Sequence, residues 1–464
     1  MKKGFLLALS LFLVLFSIPA QAASTKSPKS MFTVAFNGNQ IPQDVITKIE
    51  QAGGTIVSKY EKVGALQFRG PSSLMKSLKG HKSVQAVSPS FMVHLPKTSV
   101  VEFNETTTVN TQNADLYNLY QWDIKQVTND GDSYNIETGN HNVVVGIIDT
   151  GASPNHPDLK ANLMGGRNYV PAGGFSGTET TETGSRTDYV DRNGHGSHVA
   201  GTIAGNGRIM GVAPNVGFKA YRVFGAEGGS PTSAIAAAMV DAVDDGVDVI
   251  SMSLGGFDIL GQYYWTDPET GETFKMGNDV ADRAIYKRAV KYAVDNGVTV
   301  VVAAGNEELN ATNKKEVTDF MNVEYGPEGY KFIGAGFELP GTVPGVITVS
   351  ATGPDKSLAS YSNYGAGFID VTAPGGDFQR YPDPGYHLDM CLSAYTDTGY
   401  VWMAGTSMAT PKVSAIAALI IAKYGNIGPV KIAKMIEKSA VDIGPNGKDI
   451  YFGNGMVNAF NALK

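Results

Sequence analysis

Between Met31 and Pro96, apolar positions switch twice between the period of a strand and the period of a helix. Met31-Phe32-Thr33-Val34-Ala35-Phe36 alternates like a strand. Gln43 to Ala52 repeats at helical spacing and stops at Gly53-Gly54, which ends helices readily. Thr55 to Tyr60 and Ala65 to Phe68 read as strands, Pro71 to Leu78 as a helix, and Val84 to Val93 as a last strand. The order β-α-β-β-α-β predicts a small ferredoxin-like α+β unit. Lys97 to Asn113 (KTSVVEFNETTTVNTQN) is threonine-rich and without clear period, which predicts a linker exposed to proteolysis.

Beyond Trp122 the pattern is that of an α/β domain. Strands are predicted at 143–148, 217–224, 247–254, 298–304 and 345–351. Helices are predicted near 196–206, 232–245, 278–295, 407–424 and 429–440. Runs such as Val298 to Val302 have no polar alternation, as expected of strands buried on both faces of a parallel sheet. Two long inserts interrupt the pattern, Phe257 to Gly277 and Glu307 to Pro340. Loops of that length are usually functional or mobile.

The first residues follow neither pattern. Lys2 and Lys3 precede an apolar run from Gly4 to Ile18 and then Ala20-Gln21-Ala22. This predicts a secretory signal over 1–22, too short for a transmembrane helix, with no membrane association after its removal. A single cysteine, Cys391, cannot form an internal disulfide, which fits a secreted protein stabilised by a large core. Charge divides unevenly. Residues 23–97 carry ten Lys and Arg against three Asp and Glu, a net of +7. With Lys2 and Lys3 set aside, the remainder carries 25 basic and 41 acidic residues, a net of −16. The two segments should therefore attract each other. The basic segment lacks the aromatic interleaving of a nucleic-acid surface, so no nucleic-acid partner is expected.

Candidate chemistry concentrates at three places. Val143 to Gly151 is an apolar strand ending in Asp149-Thr150-Gly151. Asn193 to Thr202 is a glycine-flanked histidine motif opening a helix at His195. Gly405-Thr406-Ser407-Met408-Ala409-Thr410-Pro411 places Ser407 where a loop enters a long apolar helix. A hydroxyl there sits among free backbone N–H groups, at the positive end of the helix dipole. Taken singly, each has an ordinary reading: Ser407 or Thr406 as a cap, Asp149 and Asn306 as turn residues, His195 and His198 as metal ligands lacking a third partner. His387-Leu388-Asp389-Met390-Cys391 alternates as a strand would, with its polar residues on one face.

Taken in order, Asp149, His195 and Ser407 follow the chain order of the subtilisin triad. The motifs D-T-G, G-H-G-S-H-V-A-G-T, A-A-G-N (Ala303 to Asn306) and G-T-S-M-A-T-P resemble those of the subtilisin-like serine peptidases, with Ser197 in place of the usual threonine. The resemblance implies an α/β fold with a mostly parallel sheet flanked by helices. It also implies Ser407 as nucleophile, His195 as general base and Asp149 orienting the imidazole. Asn306 would donate to the oxyanion. Ser253, Leu254 and Gly255 would pair with substrate backbone, while Ala303, Ala304 and Gly305 would wall the pocket for the residue before the scissile bond. No charged residue is evident in those segments, but the inserts could supply one.

By the same resemblance, residues 23–97 form an inhibitory propeptide, 98–121 a linker and processing region, and 122–464 the peptidase domain. The implied protein is a monomeric, secreted endopeptidase acting on polypeptides, with its own propeptide as intramolecular inhibitor. Segments such as Asn129 to Tyr134, Arg167 to Gly174 and Tyr221 to Gly225 resemble lanthipeptide leader peptidases, a narrower alternative. A non-enzymatic binding protein on the same scaffold is the remote alternative. No cofactor and no metal site are expected. The loop Ile203 to Met210 is shorter than in calcium-binding relatives and contains Arg208, which puts the family's strong calcium site in doubt and leaves weaker sites open.

Overall fold

The computed structural model describes residues 30–90, 92–95, 98–103, 114–275 and 281–464. The expected signal segment, Lys97 and residues 104–113 of the processing region lie outside the described residues.

Valine and isoleucine runs build a seven-stranded sheet. Its order is Val371–Pro374, Val346–Thr352, Thr299–Ala303, Val249–Met252, Val144–Asp149, Gly217–Arg222 and Leu163–Asn168, and every neighbouring pair is parallel. Parallel pairs need crossovers, and the crossover helices cover both faces. Val145 and Ile147 pack toward helices His195–Ala204 and Thr406–Tyr424. Val144 and Ile148 point the other way, toward Thr232–Asp244 and Ala281–Asp295. Asp149 and His195 emerge at the C-terminal edge of this sheet, where open α/β sheets place their sites.

The small N-terminal unit is ferredoxin-like, as the periodicity predicts. Its antiparallel sheet runs Thr55–Tyr60, Ala65–Arg69, Met31–Phe36, Val84–Pro89. Phe32, Val34 and Phe36 face its own helices Gln43–Gln51 and Ser73–Lys79. Ala35, Val63, Ala65 and Ala86 face the large domain and join its core. Lys62 pairs with Asp241 and Asp244, and Lys76 with Glu272 at 2.5 Å.

Several features differ from the sequence expectation, beginning with two strands of the large sheet it did not predict, Leu163–Asn168 and Val371–Pro374. The last strand of the small unit ends at Pro89, and a separate strand, Met92–His94, leaves the unit. The linker contains a strand, Ser99–Glu102, paired with Tyr400–Ala404. The inserts are structured. Gly256–Thr266 pairs with Tyr330–Leu339 and with Thr273–Lys275, and helix Lys314–Glu324 packs on them. Trp265 of this sheet meets Phe32 edge-on at 5.8 Å, so the insert helps close the core of the small unit. Finally, Tyr386–Asp389 is a helical turn and the strand begins at Cys391, so His387, Asp389 and Cys391 do not share a strand face.

Candidate active site

Asp149 ends the central strand with its carboxylate fully buried. Its Oδ1 accepts from the Thr150 N–H at 2.7 Å and lies 2.8 Å from His195 Nδ1. His195 opens its helix after Gly194, whose φ of 100° favours glycine. Gly196 must also lack a side chain, because a Cβ there would strike the Gly151 carbonyl. Burial alone would depress the His195 imidazole, but the charge and hydrogen bond of Asp149 outweigh it and the pKa is raised.

Asp191, which the sequence reading passed over, organises this corner. One carboxylate oxygen accepts from Thr150 Oγ1, Asn193 N and Gly194 N at 2.8–2.9 Å. The other accepts from Ser197 N and Ser197 Oγ at 2.8 and 2.7 Å. From four residues before His195, Asp191 takes one of the helix's first free N–H groups, that of Ser197, while Gly194 is the N-cap with no side chain to do so. Ser197 therefore keeps a hydroxyl in use. His198 is no second base: its Nε2 bonds the Cys391 carbonyl oxygen at 3.0 Å, and burial lowers its pKa to about 3. Cys391 is buried and its thiol is pushed up by burial and by Asp123.

Ser407 begins the buried helix Thr406–Tyr424. Its Oγ donates to the Ser253 carbonyl oxygen at 3.1 Å, and Ser253 Oγ donates to the Ser407 carbonyl oxygen at 2.8 Å. His195 Nε2 has no hydrogen-bond partner among the described residues. Asn306 Oδ1 accepts from the Thr406 N–H and Oγ1 at 2.9 and 2.7 Å. Its oxygen is thus fixed and its Nδ2 is turned toward Gly405, where a Cβ would come within 3.0 Å of it. The arrangement suits acyl transfer: a hydroxyl, a buried base oriented by a carboxylate, and an amide donor beside the hydroxyl.

A strand of the N-terminal segment also packs against the large domain near this site. Met92–His94 pairs antiparallel with Gly229–Pro231, and the Leu95 N–H donates to the Gly228 carbonyl oxygen at 3.1 Å. On the other side of Ser407, Ser99 stands opposite Ala404, and a Cβ on Gly405 would meet the Thr98 methyl at 2.9 Å. Leu95, in the lining of the cavity that includes Asn306, and Thr98, against Gly405, thus lie on the site.

A cavity of about 170 Å³ reaches Asn306, lined by Gly255, Gly305, Glu307, Glu324, Glu338 and the tail residues His94 and Leu95 among others. Gly255 and Gly305 reach this lining; Leu254, Ala303 and Ala304 are buried. The charge missing from the matched segments comes from an insert. Glu338 is 1% exposed, and no side chain or cation pairs with its carboxyl among the described residues. Burial, aided by the nearby Glu307 charge, holds Glu338 well above the usual carboxylate range, against the pull of the Gly341 N–H.

Among the described residues no three His, Cys, Asp or Glu side chains converge as a metal site. In the shortened loop, Arg208 donates to both carboxylate oxygens of Asp115, with Nη2 at 2.8 Å from Oδ2. Asp158 accepts from the Ile209 N–H and the Tyr400 hydroxyl.

Sequence comparison matches residues 140–455 to the model of the Subtilase family. The nisin leader peptide-processing serine protease of Lactococcus lactis subsp. lactis is 36% identical over 73% of this chain and 49% of its own length; the chain thus spans about half of that relative. The epidermin leader peptide-processing serine protease of Staphylococcus epidermidis is 30% identical over 90% of this chain and 89% of its own. The crystal structure of an epidermin leader peptide processing serine protease from Staphylococcus aureus superposes with a TM-score of 0.78, at 29% identity, over 94% of this chain and 98% of that one.

Proposed function

The chain belongs to the subtilase family, and from that premise we propose that it is a secreted, self-inhibited serine endopeptidase that cuts polypeptides after a lysine or arginine. Asp149, His195 and Ser407 act as the triad and Asn306 as the oxyanion donor. Ser253, Leu254 and Gly255 line the path of the substrate backbone. The observation that carries the basic preference is Glu338, a buried carboxyl with no cationic partner, lining the cavity that includes Asn306. A carboxyl of this kind stays protonated while alone and ionises when a cation arrives. Buried charge pairs of this type are worth ~2 kcal/mol or more, roughly 30-fold in discrimination.

A narrow preference favours maturation of a particular peptide over broad degradation. The leader-processing relatives support the same direction, so removal of a lanthipeptide leader that ends in a basic residue is the specific reading. Residues 23–97 act as the inhibitory propeptide, a role supported by the tail lying in the groove.

Cleavage of a peptide library, after active-site titration with a fluorophosphonate, tests the whole. Cuts concentrated after Lys and Arg, weakened in Glu338→Gln, are expected. Cuts after large apolar residues would overturn the preference, and failure of the folded protein to take the label would return the non-enzymatic scaffold reading.

A further inference from the structure

Beyond Gly405 the linker of the chain runs into an aromatic cage. Strand Ser99–Glu102 lies antiparallel to Tyr400–Ala404, and the Phe103 N–H extends the ladder to the Tyr400 carbonyl oxygen at 3.4 Å. Successive side chains of a strand point to opposite faces. Val100 and Glu102 are exposed, whereas Val101 and Phe103 are half-buried and pack on the main core. The Phe103 ring lies 5.7 Å from Tyr120, 6.3 Å from Tyr400 and 6.3 Å from Trp402, edge-on to both tyrosines.

The cage is braced by contacts that do not involve Phe103. Tyr120 and Trp402 meet edge-on at 5.5 Å, and the His387 ring lies 5.6 Å from Trp402. The Tyr400 hydroxyl donates to Asp158 at 2.9 Å, and its ring meets that of His156 at 5.1 Å. A site held in this way keeps its shape when its occupant leaves, so a new occupant has little to order. Aromatic rings at these separations attract by their quadrupoles as well as by burial. The strand edge that leads to the cage offers main-chain donors and acceptors to any extended chain.

We propose that this cage is an aromatic-reading subsite on the leaving-group side. A preferred substrate continues past the cut as a strand along Tyr400–Ala404 and brings an aromatic side chain to the place that Phe103 holds. Phe103 is the sixth residue after a cut between Lys97 and Thr98, and the eighth after one between Leu95 and Pro96. The proposal rests on the endopeptidase reading above but not on the role of Glu338. It assigns the enzyme a substrate with a long downstream part.

The test uses enzyme matured from a Phe103→Ala precursor, so that the cage is free of the chain's own ring whatever terminus maturation leaves. Substrates are synthetic peptides that copy residues 92–104, with cut sites read by mass spectrometry. Phenylalanine at the place of Phe103 is expected to raise kcat/KM by about fivefold or more over alanine there. Phenylalanine moved to the place of Glu102, with alanine at that of Phe103, should give no gain, because alternation turns it to solvent. Adding Tyr120→Ala to the enzyme should bring the phenylalanine-to-alanine ratio toward one. Equal rates for the first two peptides would overturn the subsite while leaving the endopeptidase reading intact. So would an equal gain at both places, which marks general apolar attraction, or a ratio unchanged by Tyr120→Ala. No cleavage of any peptide would instead strike the endopeptidase reading and take the subsite with it. If the precursor variant does not mature, the same peptides with the wild-type mature enzyme decide alone.

Discussion

Ser253 and Ser407 satisfy each other: the hydroxyl of each donates to the carbonyl oxygen of the other, at 2.8 and 3.1 Å. The reason lies four residues on. Pro411 has no N–H, so the Ser407 carbonyl loses its helical partner. Ser253 Oγ takes that place. Ser253→Ala should leave a buried carbonyl unpaired and destabilise the fold by about 1–3 kcal/mol. Urea unfolding in a Ser407→Ala background, which prevents self-digestion, checks this. An unchanged midpoint would show that the hydroxyl is not needed there.

Activity should depend on a neutral His195. Its pKa is raised by Asp149 against the opposing effect of burial. The acid limb of kcat/KM should therefore lie above the ordinary imidazole value of about 6.5. Asp149→Asn removes the raising influence and leaves burial, so the limb should move to lower pH while kcat falls by about 10⁴-fold. A pH–rate profile of both proteins decides, and a limb that fails to move would separate Asp149 from His195.

The small sheet and five of the seven strands of the large one were readable in the sequence because their periods are local; Leu163–Asn168, with little apolar pattern, and the short Val371–Pro374 were not. Val144–Asp149, Gly217–Arg222 and Met31–Phe36 fall within two residues of the positions that alternation and apolar runs predict. The insert sheet was not readable. Gly256 pairs with Leu339 and Trp265 with Tyr330, partners far apart in the chain, so no local window contains the pattern. Glu338 was missed for the same reason. An acidic residue in a loop-like segment looks solvated until the fold buries it. Asp191 was nearer to hand, since an aspartate shortly before a helix is a capping signal, yet the histidine motif drew the reading past it.

Asn306→Ala should lower kcat by roughly 100- to 1000-fold with little change in KM. The expectation rests on an amide whose oxygen is held by Thr406, leaving its nitrogen toward Gly405. Loss confined to KM in steady-state kinetics would assign Asn306 to substrate binding instead.

Chelator should leave the mature enzyme folded. Where calcium-binding relatives use a long loop, Arg208 here ties the short one to Asp115, with side chains 15% and 13% exposed. An ion pair of this kind can hold a loop without metal, at about 1–2 kcal/mol once solvent screening is allowed for. Arg208→Ala should lower the thermal midpoint, whereas EDTA should not. Unfolding in EDTA that calcium reverses would contradict the assignment.

The precursor should make its own first cut between Lys97 and Thr98. Leu95 is bonded to Gly228 and Thr98 lies against Gly405, so the first cut is expected between them. Leu95–Pro96 is a tertiary amide, and an acidic cavity favours Lys97 as the residue before the cut. After that cut Ser99–Glu102 would still pair with Tyr400–Ala404 along the leaving-group side. Full activity should therefore lag behind the first cleavage. The severed unit should inhibit in trans. Salt should weaken that inhibition in part, because Lys62 is 56% exposed in its pairs with Asp241 and Asp244. The remainder should persist, since Ala35, Val63 and Ala65 are buried against the large domain. Ser407→Ala precursor should accumulate uncut and be processed only by added active enzyme. N-terminal sequencing during activation reads the outcome: a first new terminus at Thr98 is expected. A fully active enzyme that starts at Ala23 or Ser24, with the small unit still attached, would end the propeptide reading.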